Sequence, residues 1–210
     1  MAYLIKAGRV NLRTVRKADA ESMYRYLQDG EIGRWTLIPR PYRRKDAQAF
    51  IEVAQRQARK KKPNMILLGI EYPETGEIIG GIGLHQINYQ HKNAEIGCWI
   101  GKPFRGQGLV TEAMKALMQY AFKTMKLKRV SAQVFVGNVA SMKMVRRCGF
   151  TREGCLRSNF LQRGEWRTSY IYSILSEELK NRQVILGNPP YPKTALRRGN
   201  SAAILRLIYI

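Results

Sequence analysis

Two glycines, two residues apart, stand between a strand-like run and a helix-like run. The strand-like run extends from Glu95 to Gly101, the turn reads Arg105-Gly106-Gln107-Gly108, and helical spacing follows from about Leu109 to Lys123. Glycine lets the backbone turn tightly and brings its N–H groups close to a ligand. The N-terminus of the following helix adds unpaired amides and the positive end of the helix dipole. This order predicts a strand–turn–helix unit that can seat a pyrophosphate.

Other glycine-rich nucleotide motifs do not fit this turn. The dinucleotide fingerprint needs a third glycine where Val110-Thr111 stand, and a P-loop needs a Gly-Lys-Ser/Thr ending that this turn lacks. The segment Pro103-Phe104-Arg105-Gly106-Gln107-Gly108 instead resembles the acyl-CoA turn of the GNAT N-acetyltransferases, Q/R-x-x-G-x-G/A, which is followed by a helix. Its first position holds Pro103 where the family prefers Gln or Arg, so the backbone amides are the contacts expected there.

A second segment resembles the same superfamily. Asn138-Val139-Ala140-Ser141, with Met144 and Arg147-Cys148-Gly149-Phe150, is similar to the N-x-x-S…K/R-x-G-F segment of its RimJ/RimL-like branch. The resemblance runs from Leu12-Arg13 to about Leu175 and covers most of the chain. It implies an α/β GNAT fold: a mixed, mostly antiparallel twisted sheet of about seven strands, splayed at the acetyl-CoA site and flanked by about four helices.

The hydrophobic patterns predict strands and helices in an interspersed order. Helices are expected after Asp19, after Pro41, from Leu109 and from Ser141. Strands are expected at about residues 9–15, 64–71, 78–86, 94–101, 129–136, 151–161 and 168–174. Mixed order with hairpins at both ends of the chain indicates a mixed α/β sheet.

The chain divides into two parts. Residues 1–178 are expected to form the GNAT domain, and residues 179–210 a basic, proline-containing C-terminal extension. The segment Gly187-Asn188-Pro189-Pro190-Tyr191-Pro192 cannot be helical. The chain ends in an apolar run, Ile204–Ile210, which either docks on the domain or a second subunit or belongs to a disordered appendage.

The composition fits one substantial domain. Its 210 residues are 45% hydrophobic, which argues against wholesale disorder. No apolar run approaches the roughly 20 residues of a membrane span, and the N-terminus has no signal-peptide core. Three cysteines without C-x-x-C spacing and two histidines without carboxylates at ligand spacing predict neither a disulfide framework nor a metal site. We therefore expect a soluble, cytoplasmic enzyme without metal or membrane contact.

The resemblance implies which residues hold acetyl-CoA. Backbone groups of the strand Glu95–Gly101 would contact the pantetheine arm, and Asn138 would close the gap of the splayed sheet onto the cofactor. Arg105 and Arg147 would complement phosphates. The expected cofactor-binding residues are Cys98, Trp99, Ile100, Arg105, Gly106, Gln107, Gly108, Leu109, Val110, Asn138, Ser141 and Arg147.

Acetyl transfer to an amine needs a base for the amine and a proton for the leaving thiolate. Ser141 stands where the family often places its proton donor; alternatively, its hydroxyl satisfies backbone groups at a helix start. Glu95 on the motif strand is a candidate general base; alternatively, it is a solvated or salt-bridged strand residue. Ser141 and Glu95 are therefore the candidate catalytic residues.

Two further residues are candidates for contact with the acceptor. Trp35 lies in the region where the family builds its acceptor pocket, on a loop from Gly33 to Pro39. Asn159 stands where some relatives carry a Glu, and Thr168 stands where relatives often carry Asp. Since an amide cannot act as a base, these departures leave the amine contact to other groups.

The charge of this chain is unusually positive. Thirty-seven Lys and Arg against 15 Asp and Glu give +22, a field that attracts polyanions. The resemblance implies transfer of acetyl to a protein N-terminal α-amine, with a ribosomal protein as a candidate acceptor. The positive charge suits an acidic protein as acceptor and non-specific RNA contact through the basic surface. The alternatives are a small-amine acetyltransferase for polyamines or aminoglycosides, and a catalytically weak CoA- or RNA-binding module. Either a monomer or a homodimer is compatible with the sequence.

Overall fold

A computed structural model describes residues 3–181, and the side chains of Lys180 and Asn181 are left out of the description. Eight strands form one sheet in the spatial order β1-β2-β3-β4-β5-β6-β8-β7. The predicted extension from residue 179 onwards, with the apolar run Ile204–Ile210, lies almost entirely outside the described residues. The strands are β1 Leu4–Ala7, β2 Val10–Arg13, β3 Ile66–Tyr72, β4 Glu77–Asn88, β5 Asn93–Ile100, β6 Arg129–Phe135, β7 Thr151–Gln162 and β8 Glu165–Leu175.

The N-terminal segment forms two strands where the sequence predicted one. The sequence predicted one strand at residues 9–15, whereas the chain forms a hairpin in which Leu4 pairs with Arg13 and Ala7 with Val10. Gly8 turns the hairpin with φ at +68°, a conformation that glycine adopts without strain. Within residues 3–181 the sheet therefore has eight strands instead of about seven.

Six α-helices connect or flank the strands within residues 3–181. Four correspond to the predicted helices, while α2 and α6 are short and were not predicted. Trp35 is thus the last residue of a helix rather than part of a loop. The helices are α1 Ala20–Leu27, α2 Gly30–Trp35, α3 Arg44–Ala58, α4 Leu109–Gln119, α5 Val139–Arg147 and α6 Ser176–Asn181, with α4 continuing into a π-helical turn at Tyr120–Thr124.

The sheet carries a core on each face. On one face, Met114 and Leu117 of α4 belong to a buried cluster with Ile96 of β5. On the other face, α1 and α3 contribute Met23 and Phe50 to a cluster that contains Trp99 of β5. The alternation of side chains along a strand explains why Ile96 and Trp99 face opposite layers. Strand β5 is therefore fixed from both sides.

The pairing of β5 with β6 positions the site. These strands are parallel, and their register runs from Asn93 opposite Arg129 to Glu95 opposite Ser131. All other neighbouring pairs in the described sheet are antiparallel. Beyond Glu95, β6 continues to pair with β8 as far as Phe135, while β5 continues to pair only with β4 among the described strands. The sheet consequently opens after Glu95.

Candidate active site

A cleft of about 410 Å³ lies at this opening in the sheet. It is lined by the end of β5, the glycine turn, the first turn of α4, α5 and the end of α2. Most of the predicted cofactor residues and one predicted acceptor residue meet here: Cys98, Trp99, Ile100, Arg105, Gly106, Gly108, Leu109, Val110, Asn138, Ser141, Arg147 and Trp35. Three predicted residues, Glu95, Gln107 and Asn159, are not among its lining residues.

The glycine turn has the backbone conformation that its sequence predicts. Gly106 and Gly108 have φ values of +76° and +80°, and Gly108 is the residue at which α4 begins. No protein atom lies within 4 Å of a Cβ built on Gly106, so the space beside this residue is open. No side chain caps the start of α4, which leaves its first amides for a ligand. An anionic phosphate group fits this open, positively polarised turn.

Arg9 holds the turn from behind, a contact that the sequence reasoning missed. Its guanidinium donates to the Gln107 carbonyl at 2.7 Å and to Glu112 Oε1 at 2.6 Å, and its backbone N–H donates to Glu112 Oε2 at 2.9 Å. Gly8 permits this approach, since a Cβ there would lie 2.5 Å from Glu112 Oε2. These hydrogen bonds hold the pKa of Glu112 below its ordinary value. The β1–β2 hairpin thus fixes the first turn of α4.

Two residues of the turn have side-chain partners within the protein that the sequence did not indicate. The side chain of Gln107 folds back and donates to the Pro103 carbonyl at 2.9 Å instead of facing the cleft. Arg105 lines the cleft, but its guanidinium forms an ion pair with Asp29, which also caps α2 by accepting the Glu31 N–H. Arg105 therefore ties the glycine turn to α2. Arg147 is exposed and forms no ion pair within residues 3–181, so its guanidinium is available for the predicted phosphate contact.

The start of α5 presents Ser141 to the cleft. The Asn138 carboxamide is buried and caps the helix, with its Oδ1 accepting the Ser141 N–H at 3.2 Å. Because Asn138 provides this cap, the Ser141 hydroxyl is not needed for it. The hydroxyl forms no hydrogen bond to any other described residue, and it lines the cleft. This geometry favours the proton-donor role over the helix-start role.

Glu95 lies at the closed end of the opening and belongs to a polar network on the α1–α3 face. Its carboxylate accepts from Gln133 Nε2 at 3.1 Å. Gln133 Oε1 in turn accepts from Asn159 Nδ2 at 2.6 Å and from the Ser169 hydroxyl at 3.2 Å. These two donors fix the orientation of the Gln133 amide, which directs its NH₂ group to Glu95. Asn159 therefore supports this network, and the structure does not bring it to the cleft lining as an acceptor contact.

Trp35 forms the wall of the cleft on the α2 side. Its indole Nε1 donates to Glu31 at 3.2 Å, and the Arg34 guanidinium lies 4.7 Å from the centre of its ring. The ring also packs against the small cluster formed by Phe135 and Phe160. Trp35 therefore lines the cleft, and its contact with the acceptor stays a prediction.

The cysteines are not arranged for nucleophilic chemistry. Cys98 and Cys148 are buried, and burial raises the pKa of both thiols, that of Cys148 to about 11. Both thiols are therefore protonated at neutral pH. Within residues 3–181, no group of three or more His, Cys, Asp or Glu side chains is placed to hold a metal ion. None of the helices formed by these residues has the length and apolar character needed to cross a membrane.

The splayed sheet, the glycine turn and the α5 start define a GNAT acetyltransferase. A family model for the acetyltransferase (GNAT) domain matches residues 9–151, and the chain belongs to this family. The predicted GNAT fold is confirmed by solved structures of similar proteins. The protein is therefore an N-acetyltransferase that uses acetyl-CoA as its acyl donor.

Several relatives match this chain over most of its length. YoaA of Bacillus subtilis (strain 168), an uncharacterized N-acetyltransferase, is 30% identical over 175 residues, which cover 83% of this chain and 98% of YoaA. YdaF of the same organism, a putative ribosomal N-acetyltransferase, is 29% identical over 80% of this chain and 92% of its own. The structure of the microcin C7 self immunity acetyltransferase MccE, in complex with acetyl-CoA and AMP, superposes with a TM-score of 0.71 at 27% identity, covering 80% of this chain and 93% of MccE.

Proposed function

We propose that this enzyme acetylates the N-terminal α-amine of a protein, with a ribosomal protein as the favoured acceptor. The name of its relative YdaF, a putative ribosomal N-acetyltransferase, supports the ribosomal acceptor. The observation that carries the proposal is a second cavity of about 530 Å³, which shares Glu31 with the cleft. A polypeptide acceptor needs such room beyond its reacting amine. Because ribosomal proteins are found in the cytoplasm, this acceptor would also place the enzyme there.

The charge of this second cavity favours a peptide with acidic residues after its first residue. Four arginines line it, Arg34, Arg40, Arg163 and Arg167, against three carboxylates. Of these carboxylates, Asp29 is paired with Arg105 outside the cavity, and Glu31 lies 3.6 Å from the Arg34 guanidinium. Guanidinium groups recognise carboxylates through paired hydrogen bonds. A polyamine lacks such carboxylates, and among the described residues that line the cleft Glu31 is the sole carboxylate.

Residues from three elements would share the binding of the acyl donor. The open turn at Gly106 and Gly108 would receive the pyrophosphate, Arg147 a further phosphate, and the unpaired edge of β5 the pantetheine arm. Acetyl-CoA supplies the acetyl group as a thioester. Trp35 and Glu31 would border the path of the incoming amine.

Two side chains would move the protons of the reaction. Glu95 would accept the proton that the amine nitrogen loses as its bond to the acetyl carbon forms, directly or through water. Gln133, bonded to Glu95 at 3.1 Å, would hold the carboxylate in place for this step. Ser141 would donate a proton to the sulfur as the carbon–sulfur bond breaks, so that the leaving group departs as a neutral thiol.

An acceptor competition tests this proposal. The purified enzyme would be given acetyl-CoA with one of four acceptors: a peptide with a free α-amine and acidic residues at positions two to four, the same peptide with lysines there, the acidic peptide with a blocked N-terminus, and spermidine. Thiol release gives kcat/KM, and fragmentation mass spectrometry locates the acetyl group. We expect the acidic peptide to be the best acceptor and to be modified at its α-amine. A higher kcat/KM for spermidine, or equal modification of the blocked peptide, would overturn the proposal.

A matched pair of arginine variants tests the second cavity. Arg34→Gln removes one guanidinium from it, whereas Arg157→Gln removes an exposed arginine of β7 that does not line it. We expect Arg34→Gln to raise the KM of the acidic peptide about three- to tenfold, as loss of an exposed charge contact does. Arg157→Gln should leave this KM unchanged. Equal effects of the two variants would show that the peptide responds to the net charge of the enzyme and not to a specific contact with Arg34.

A further inference from the structure

Three basic loops that are far apart in sequence meet at one end of the sheet. They follow α3, connect β4 to β5, and connect α4 to β6. Hydrogen bonds join them: Tyr89 Oη donates to the Pro63 carbonyl at 3.0 Å, and Lys128 N–H donates to the Lys92 carbonyl at 2.6 Å. We define the basic face by its cationic residues, Arg59, Lys60, Lys61, Lys62, Lys92, Lys123, Lys126 and Lys128, which are all exposed.

The charges of the basic face are almost wholly unneutralised. The sequence contains no Asp or Glu between Glu52 and Glu71, between Glu77 and Glu95, or between Glu112 and Glu153. Lys128 pairs with Glu177 at 2.7 Å, whereas the other cations of the face form no ion pair within residues 3–181. Elsewhere in the described fold, arginines such as Arg9, Arg13 and Arg44 are paired with carboxylates. The basic face therefore concentrates the positive field of the molecule.

The basic face lies at the opposite end of β5 from the cleft. Strand β5 begins at Asn93, next to Lys92, and ends at Ile100 in the cleft. Seven steps of about 3.3 Å each separate the two ends by roughly 23 Å. A ligand on this face would leave the cleft open, so its role is recruitment rather than catalysis.

The residue types of the basic face indicate which class of macromolecule it can bind. Protein–protein interfaces have apolar, aromatic cores that are depleted in lysine. The exposed large apolar side chains within residues 3–181, namely Leu4, Val136, Val139, Leu161 and Trp166, all lie outside this face. Binding of single-stranded nucleic acid uses exposed aromatic rings for stacking, whereas Tyr89 at this face is half-buried and packs against the core. A face of lysines and one arginine, without exposed large apolar side chains, suits a regular array of phosphates.

We infer that the basic face binds the phosphate backbone of double-stranded RNA, through one or more lysines of each loop. The choice of RNA rests on the proposed ribosomal acceptor, because a ribosomal protein binds next to structured RNA. Binding would hold the enzyme near its acceptor while the cleft, roughly 23 Å away along β5, stays free. The contact is electrostatic and independent of base sequence.

Two triple variants with the same change in net charge test this inference. The face variant carries Lys61→Gln, Lys92→Gln and Lys126→Gln, one change in each loop. The control variant carries Lys6→Gln, Lys17→Gln and Lys45→Gln, three exposed lysines outside the face. The full-length proteins would be titrated with a fluorescent 20-base-pair RNA duplex over a range of salt concentrations. Parallel titrations would use the same duplex as DNA, one RNA strand alone, and polyglutamate.

The expected result is a selective loss in the face variant. Each phosphate contact contributes about 0.9 to the slope of log K against log salt, as measured for B-form DNA, so three lost contacts should reduce the slope by about two to three. Affinity for duplex RNA should fall about tenfold or more at low salt in the face variant and change little in the control. Equal losses in both variants would show that only net charge matters and would overturn the inference. Tighter binding of polyglutamate, of the single strand or of duplex DNA would also overturn it.

Peptide acetylation separates this inference from the proposed function. The face variant should acetylate a short peptide with normal kcat and KM, since none of its changed residues lines the cleft. If wild-type protein binds duplex RNA through the face but acetylates no N-terminal peptide, the acceptor proposal fails and the RNA site stands. If it acetylates the peptide and the face variant binds RNA normally, the RNA site fails alone.

Discussion

Ser141 has a free hydroxyl because its neighbour Asn138 performs the capping. The Asn138 side chain accepts the Ser141 N–H, and the hydroxyl of Ser141 lines the cleft without another described partner. The sequence left two roles open for this hydroxyl, proton donation and a hydrogen bond at the helix start. Because Asn138 makes the capping bond, the half-buried hydroxyl of Ser141 is available for proton donation. The identity of Ser141 could be predicted from its motif, but the release of its hydroxyl depends on the cap geometry.

Replacement of Ser141 by alanine should therefore affect turnover more than binding. Loss of a general acid lowers kcat by about 10²- to 10⁴-fold, while the KM for acetyl-CoA should change little. Steady-state kinetics at saturating acceptor measure both constants. Ser131→Ala is the control, because Ser131 is also half-buried and its hydroxyl donates to the Ala94 carbonyl instead. A Ser141→Ala enzyme with normal kcat and a raised KM would make Ser141 a binding residue.

His85 should make the stability of the fold sensitive to acid. It is buried on β4 opposite Glu95, and burial lowers its pKa to about 4 from an ordinary 6.5. The unfolded chain therefore binds a proton at a pH where the folded protein does not, and stability falls as pH drops from 6.5 towards 4. Between about pH 7.5 and pH 5 this group should cost about 2 kcal/mol of unfolding free energy.

Urea unfolding at the two pH values checks this prediction. His85→Asn keeps a polar side chain but does not titrate, so its loss of stability between the two pH values should be smaller than that of the wild type by about 2 kcal/mol. Glu95, the residue opposite His85, is kept in both proteins. Identical pH dependence in the two proteins would mean that folding does not lower the pKa of His85.

At the scale of elements, the glycine turn depends on a hairpin far away in sequence. The order of strand, turn and helix at Glu95–Lys123 followed from glycine spacing and hydrophobic periodicity, since both are local properties. The contact between Arg9 and Glu112 spans 103 residues, and no local pattern indicates it. For the same reason, the pairing of Arg105 with Asp29 and the network of Asn159 with Gln133 emerged only from the fold.

Arg9→Met should weaken the binding of CoA without unfolding the protein. Arg9 is 57% exposed, so its ion pair contributes little to stability, but its bond to the Gln107 carbonyl helps to orient the turn. We expect the Kd of CoA to rise about three- to tenfold, or roughly 0.7 to 1.4 kcal/mol. In contrast, kcat/KM for S-acetylpantetheine, which has no pyrophosphate, should stay the same. Calorimetry and steady-state kinetics measure the two quantities.

Arg44→Met provides the matched control for this prediction. Arg44 also makes a two-point contact with a carboxylate, Glu21, and it is similarly exposed, but it lies at the start of α3. Its replacement should not change the affinity for CoA. If both variants bound CoA equally well, or if Arg9→Met lost activity with both donors, Arg9 would have no specific role in positioning the turn.

For the whole molecule, the opening of the sheet converts local motifs into one site. The sequence motifs at Gly106–Gly108 and Asn138–Ser141 are separated by α4 and β6, and they meet because β5 leaves β6 after Glu95. The GNAT architecture could be predicted from these motifs through a family resemblance. The point at which the sheet opens could not be predicted, because strand register depends on long-range pairing rather than on residue type.

The most direct measurement for this account compares CoA binding to two glycine variants by titration calorimetry. Gly106 and Gly76 have φ values of +76° and +70°, and at neither would an added Cβ meet a protein atom within 4 Å. Valine therefore introduces the same backbone strain at both positions, but only Gly106 lines the cleft. We predict that Gly106→Val raises the Kd of CoA tenfold or more, which is at least about 1.4 kcal/mol, while Gly76→Val leaves it unchanged. Unchanged affinity in a folded Gly106→Val protein would contradict the assignment of this cleft as the acetyl-CoA site.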